Sequence, residues 1–191
     1  MSEIVLFHHV QGLTDGVRSF AEKLGQSGHT VHTPDVFDGR TFATLEEGMA
    51  FARQAGFAAL GERGVAAGEA YPANVVYAGI SFGVMAAQQL AQTRPGAGGA
   101  LFISACLPFS EFGDVWPAGV PVQVHGKEGD EFFEEDLPAA RALVDATDRA
   151  ELFLYPGEQH LFADSSLPDY DPAAAALLTE RVLAFLAADG G

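Results

Sequence analysis

The chain has 191 residues, of which 48% are hydrophobic, so it is long and apolar enough to bury one sizeable core. Ten basic residues stand against 26 acidic ones and give a formal net charge of −16. This charge repels phosphate backbones and anionic lipid headgroups, which argues against nucleic acid and membrane surfaces as partners. From the length and apolar content, we expect one domain over residues 1–191.

The first residues, MSEIVLFHHV, have no basic region and only a short apolar run, which cannot form the core of a signal peptide. No stretch of the sequence has the length that is needed to span a bilayer. The single cysteine, Cys106, cannot form an internal disulfide, which suits a reducing compartment. We therefore expect a cytoplasmic location.

Apolar runs of strand length alternate along the chain with Ala-rich segments of helix length. This alternation is typical of an α/β fold with a mostly parallel sheet that is covered by helices on both faces. The predicted strands are 3–8, 29–33, 74–80, 99–104, 120–125 and 151–155. Helices are expected between them.

Three helices have clear punctuation. Thr14 is a candidate N-cap for the amphipathic segment 14–28, segment 82–96 ends at Pro-Gly, and segment 171–191 begins with Asp-Pro and ends with Gly-Gly. Segment 44–71 is Ala-rich but contains five glycines, which predict a weak or broken helix.

Ser81 stands between Gly79 and Gly83, directly after one predicted strand and before a predicted helix. In a nucleophile elbow, the sharp turn exposes the serine hydroxyl, and the small residues on either side let strand and helix approach each other. The alternative is an ordinary turn, because glycine is frequent in this chain, at 22 of 191 residues.

A catalytic serine needs a base to take its proton and an acid to orient that base. His160 follows the predicted strand 151–155, and Asp130 lies in a glycine-flanked turn after strand 120–125, with Glu128 as the competing acid. The order serine, acid, histidine, with each residue after its own strand, predicts a triad of Ser81, Asp130 and His160. The oxyanion would be held by the backbone N–H groups of Phe82 and Val10.

In these segments the chain resembles the dienelactone hydrolase family of α/β-hydrolases. The stretch that begins HHVQG resembles the family's oxyanion loop, GISFGVMAA its nucleophile region, VPVQVHGKEGDEFF its acid loop and LYPGEQHLFAD its histidine segment. The resemblance covers nearly the whole chain. It implies an α/β-hydrolase fold, in a compact version without an N-terminal extension.

Three positions differ from the family's namesake members. Ser81 stands where they have a cysteine, and His9 stands where they have a glutamate in the oxyanion loop. They also have an arginine for the substrate carboxylate shortly after the catalytic histidine, where this chain has HLFADSS with Asp164. These differences bring dienelactone itself into question as the substrate.

Further pocket residues are His9, Arg40 and Trp116. The matching position in the family suggests that His9 lines the pocket or binds the substrate, the alternative being a surface histidine. Arg40 is the basic residue best placed to meet a carboxylate, or else a solvated loop residue. Trp116 could form an apolar wall or pack under its loop.

No metal site is expected, because successive strand residues such as His8 and His9 point to opposite faces and no further ligand stands at suitable spacing. The predicted function is hydrolysis of a small carboxylic ester or lactone through an acyl-enzyme, without a cofactor. On so acidic a chain, a neutral or weakly polar ester fits better than a multiply charged one. The protein is expected to be a monomer or homodimer. Alternatives are a thioesterase or acyltransferase that uses the same triad, or a non-catalytic binding protein of the same fold.

Overall fold

Six parallel strands form one sheet in the computed structural model, which describes residues 1–188. Each predicted strand is present, and the strands are β1 Glu3–Phe7, β2 Thr30–His32, β3 Val76–Ile80, β4 Gly99–Ile103, β5 Val122–Lys127 and β6 Ala150–Tyr155. Every neighbouring pair is parallel. The sheet therefore confirms the predicted α/β class.

The helices occupy the intervals between the strands and are α1 Asp15–Gln26, α2 Leu45–Ala55, α3 Phe57–Glu69, α4 Val84–Thr93, α5 Glu131–Ala146 and α6 Pro172–Ala188. Thr14 caps α1 as predicted, because its Oγ1 accepts a hydrogen bond from the N–H of Val17 at 3.3 Å. The broken helix is confirmed, since α2 ends and α3 begins at Gly56, which has a φ of +90°. The predicted glycine stop at 190 and 191 lies outside the described residues.

Helix α5 was expected only as an element between two strands, because no segment pattern marked it. Pro138 stands inside it, and a proline in a helix interior removes one backbone hydrogen bond and is a poor helix former. Packing compensates: Phe133, Ala140 and Leu143 are buried against the sheet. Tertiary contacts thus stabilise a helix that local propensity does not favour.

The two faces of the sheet carry separate apolar layers. Ile4 and Leu6 of β1 pack with α1 and α6, whereas Val5 and Phe7 pack on the opposite face with residues of α4 and α5. This alternation follows from the two-residue period of a strand, and it accounts for helices on both faces.

The strand order is β2-β1-β3-β4-β5-β6, so the chain leaves β1 towards one side for β2 and returns to the other side for β3. In open α/β sheets, ligands bind at the carboxyl ends of the strands where the order reverses in this way. Val10 follows β1 and Ser81 follows β3, so both lie at this point. Within residues 1–188, no helix is both long and apolar enough to cross a membrane.

Candidate active site

Ser81 occupies a strained turn at the end of β3. Its φ is +49°, a left-handed conformation that is uncommon for a residue with a side chain, and a 3-10 turn, Ser81–Gly83, leads directly into α4. A Cβ at Gly79 would lie 2.5 Å from backbone atoms of Gly83, and a Cβ at Gly83 would lie 2.3 Å from the carbonyl oxygen of Phe7. The turn therefore requires glycine at both flanking positions.

Ser81, His160 and Asp130 form one hydrogen-bonded chain. The Oγ of Ser81 lies 2.7 Å from Nε2 of His160, and Nδ1 of the same ring lies 2.6 Å from Oδ2 of Asp130. With the ring proton on Nδ1, His160 donates to the Asp130 carboxylate and accepts from the Ser81 hydroxyl. This is the arrangement in which a histidine can take the proton of a serine.

Asp130 is held in place by its position at the start of α5. Its Oδ1 caps the helix by accepting the N–H of Phe132 at 3.1 Å, while its Oδ2 faces His160. The side chain is 1% exposed. Glu128, the competing acid in the sequence, is exposed, and among the described residues its side chain forms no hydrogen bond or ion pair with His160.

Two neighbours orient His160. The hydroxyl of Ser104 donates to the His160 carbonyl oxygen at 2.6 Å, and the ring of Phe132 packs on the imidazole with 4.9 Å between ring centroids. Ser104 itself has a φ of +61° at the end of β4. The histidine is thus fixed from its backbone and from one face of its ring.

A cavity of about 370 Å³ opens above Ser81. Its wall is mostly apolar and comprises Val10, Leu45, Met49, Phe57, Ser81, Phe82, Met85, Ser104, Ala105, Leu107, Phe132, Glu135, Asp136 and His160. Both residues predicted to hold the oxyanion, Val10 and Phe82, are among them. The most exposed wall residue of the large apolar type is Phe132, at 44%.

The structure places the other three predicted pocket residues outside this wall, which corrects those predictions. His9 is fully buried and points into the protein. Arg40 is exposed, with its guanidinium 5.2 Å from the ring centre of Phe51. Trp116 packs under its loop, where its Nε1 donates to the carbonyl of Val120 at 2.8 Å and its ring meets Phe102 edge-on.

His9 belongs instead to a buried polar cluster that joins two loops. Its Nε2 lies 2.7 Å from Oδ2 of Asp164, and the Thr14 hydroxyl donates to the same oxygen. Burial raises the pKa of Asp164, but the hydrogen bonds from His9, Ser166 and Thr14 outweigh it and lower that pKa to about 2. The cluster ties the loop after β1 to the loop that carries His160.

His8 has a structural role. Its Nδ1 donates to the His9 carbonyl at 2.8 Å, and its Nε2 accepts the N–H of Val36 at 3.1 Å. Burial lowers the pKa of His8 to about 4, which keeps the ring neutral. Cys106 is buried outside the cavity wall, and desolvation raises the pKa of its thiol to about 12.

Sequence reasoning missed most of the cavity wall, above all Glu135 and Asp136. Both lie on α5, and Asp136 stands one helical turn after Phe132. Residues four apart share a helix face, so Asp136 lies on the same face of α5 as Phe132, whose ring packs on His160. A helical register that starts at the N-cap Asp130 is the sequence signal that could have paired these two residues.

A second depression, of about 450 Å³, lies around Arg181 and Phe153 at the other end of β5 and β6. Its wall includes none of Ser81, His160 and Asp130, so the Ser81 cavity is the better candidate for a reaction. Among residues 1–188, no three His, Cys, Asp or Glu side chains are grouped so that they could hold a metal ion.

Several solved structures superpose on this chain over nearly its whole length. The dienelactone hydrolase-like promiscuous phosphotriesterase P91 from metagenomic libraries superposes with a TM-score of 0.74 at 19% identity, covering 100% of this chain and 87% of that one. Dienelactone hydrolase from Anabaena variabilis gives 0.66 at 21% identity, with coverages of 97% and 86%. Esterase 2 of Thermogutta terrifontis, phosphonylated by cyclosarin, gives 0.70 at 19% identity, with coverages of 99% and 83%.

At these identities the likeness shows a shared fold, which confirms the predicted α/β-hydrolase architecture. No curated protein sequence matches the chain significantly. The model of the dienelactone hydrolase family matches residues 1–189.

Proposed function

The chain belongs to the dienelactone hydrolase family, and on that basis we propose that it hydrolyses small carboxylic esters or lactones with Ser81 as the nucleophile. The observation that carries this proposal is the chain of short contacts from Ser81 through His160 to Asp130, at the base of a mostly apolar cavity. The non-catalytic alternative would be favoured by a blocked pocket, whereas an open cavity above Ser81 supports catalysis.

In the proposed acylation step, the Ser81 Oγ forms a bond to the substrate carbonyl carbon while its proton moves to Nε2 of His160. The carbonyl π electrons move to the oxygen and form a tetrahedral oxyanion. When this intermediate collapses, the C=O bond re-forms, the bond to the alcohol breaks, and the alcohol takes the proton from His160. Asp130 stabilises the transient imidazolium.

The backbone N–H groups of Phe82 and Val10 are proposed to donate to the oxyanion. Their residues flank the nucleophile in the cavity wall, which supports this assignment. Losing one such donor typically lowers the rate by about two to three orders of magnitude.

Deacylation repeats these steps with water. His160 takes a proton from water as the water oxygen attacks the acyl carbon, and it returns that proton to Ser81 Oγ when the acid leaves. A thioester, or an acceptor alcohol in place of water, would use the same groups, so thioester hydrolysis and acyl transfer are the alternatives within this mechanism. We further propose a small-molecule partner, a monomer or homodimer, and a cytoplasmic location that suits the single thiol of Cys106.

The test is covalent labelling with a fluorophosphonate, which reacts only with serines that are activated as nucleophiles. Wild type is expected to take up one adduct by intact mass, and peptide mapping should locate it on Ser81 rather than on Ser104, the other serine of the cavity wall. Ser81→Ala should take up none, and His160→Ala should react at least about a hundredfold more slowly.

The companion measurement is kcat/KM on a nitrophenyl ester, which should fall by about 10⁴-fold or more in Ser81→Ala. A folded wild type that takes up no label and cleaves no ester would refute the proposal. Adducts on Ser104 or on exposed serines would refute the assignment of the nucleophile.

A further inference from the structure

The charged residues in the wall of the cavity above Ser81 are acidic. Asp136 and Glu135 line it, whereas no lysine or arginine does so within the described part of the chain. The remaining wall is apolar apart from Ser81, Ser104 and His160. A substrate that enters this cavity therefore meets carboxylates and meets no opposing cationic side chain.

Asp136 is the less exposed of the two carboxylates, and its side chain is held in a fixed position. Its Oδ2 accepts the backbone N–H of Cys106 at 3.0 Å, which fixes the side chain. Its Oδ1 accepts no hydrogen bond from any residue in 1–188. Burial raises the pKa of Asp136, and the hydrogen bond from the Cys106 N–H opposes this rise.

We propose that Asp136, assisted by Glu135, selects substrates whose acyl or alcohol part carries a cationic group and discriminates against esters that carry an anionic group. The inference rests on the proposed ester hydrolysis at Ser81 and names its substrate class. Ser81 performs the reaction, and the two carboxylates determine which esters reach it.

The physical basis is the partial burial of Asp136. Two opposite charges attract far more strongly beside a partly desolvated group than in bulk water, and a cation within the cavity would also provide the partner that Oδ1 lacks. Glu135 is exposed, so water and salt screen its charge and its contribution is smaller. An anionic substrate would be repelled by both side chains.

The experiment compares esters that differ only in charge. One set consists of nitrophenyl esters of acids whose chain ends in a trimethylammonium, a tert-butyl or a sulfonate group. A second set places the same three groups on the alcohol side of acetate esters, with hydrolysis followed by proton release. The trimethylammonium and tert-butyl groups have nearly the same shape, so the ratio of their kcat/KM values isolates charge.

In wild type, at least one set should favour the ammonium ester over the tert-butyl ester by about tenfold or more, and the sulfonate ester should be the poorest substrate. Asp136→Asn should reduce the ammonium preference to about twofold or less. This substitution keeps the shape of the side chain and an oxygen that can accept the Cys106 N–H. Glu135→Gln should reduce the preference by a smaller factor.

Glu134→Gln is the matched control, since it removes the same charge from an exposed position of α5 that does not line the cavity. It should leave the ratio unchanged. Equal ratios in wild type and Asp136→Asn, or a loss of selectivity in Glu134→Gln as large as in Asp136→Asn, would overturn the inference.

The two proposals fail in different ways. If tert-butyl esters are cleaved in a Ser81-dependent manner but neither set shows an ammonium preference, the charge selection is wrong and the hydrolase proposal stands. If no ester is cleaved and Ser81 takes up no fluorophosphonate, both proposals are wrong.

Discussion

Replacing Asp130 by asparagine separates the two contacts that this side chain makes. The Oδ1 contact caps α5, and asparagine caps helices about as well as aspartate, so the free energy of unfolding should change by less than about 0.5 kcal/mol. The Oδ2 contact with Nδ1 of His160 is different, because an amide N–H₂ at 2.6 Å from Nδ1 cannot accept a proton there.

His160 would then place its ring proton on Nε2, which faces the Ser81 Oγ at 2.7 Å. In that tautomer the histidine can no longer accept the serine proton. The same substitution in a well-studied serine protease lowers kcat by about 10⁴, which corresponds to about 5.4 kcal/mol in activation free energy. We expect a loss of that size in kcat/KM of Asp130→Asn.

The assay is kcat/KM on a nitrophenyl ester, together with urea unfolding of the same preparations. Glu128→Gln is the control, because it removes a carboxylate from the same loop without touching His160, and it should keep wild-type activity and stability. Activity of Asp130→Asn within about tenfold of wild type would refute the reasoning. A large loss of unfolding free energy would show instead that the contact with His160 mainly holds the fold.

Three other predictions concern the surroundings of the site. Gly83→Ala should lower the free energy of unfolding by about 3 kcal/mol or more in urea denaturation, because the new Cβ would lie 2.3 Å from the Phe7 carbonyl oxygen. Gly25→Ala is the control: a Cβ there would have no atom within 4 Å, so the free energy of unfolding should not fall. The folded-state pKa of Asp164 is about 2, whereas the ordinary value is 3.8. The ionised carboxylate therefore contributes about 2 kcal/mol to the free energy of unfolding above pH ~4. This contribution is lost as the pH falls through about 2. Acid unfolding curves of Asp164→Asn should lack that component, and identical pH dependence of the two proteins would contradict it. Finally, the thiol of Cys106 is buried and has a pKa of about 12. It should therefore react with iodoacetamide at least about a hundredfold more slowly in the native protein than in urea, as measured by mass spectrometry. Fast labelling of the native protein would contradict its burial.

Short-range patterns in the sequence predicted most of the architecture. Apolar runs located all six strands, and the side chain of Thr14 marked the start of α1, because these signals depend on neighbouring residues alone. Helix α5 was expected only from its place between two strands, because Pro138 lowers its helix propensity and its stability comes from packing against the sheet.

The sequence by itself also determined the residues that meet at Ser81. The carboxyl ends of parallel strands lie at one edge of a sheet, so chain order alone brought Asp130 and His160 towards the nucleophile. The steric demands of the elbow at Gly79 and Gly83 are equally local.

Only the tertiary structure decided which way the remaining side chains face. His9 turns inward because Asp164, 155 residues away in sequence, offers it a buried carboxylate. Asp136 enters the cavity because of how α5 is rotated on the sheet, and Trp116 turns away from the cavity to pack against Phe102. Such directions depend on contacts between segments that are distant in the chain, and these contacts form only when the sheet and its helices are packed together.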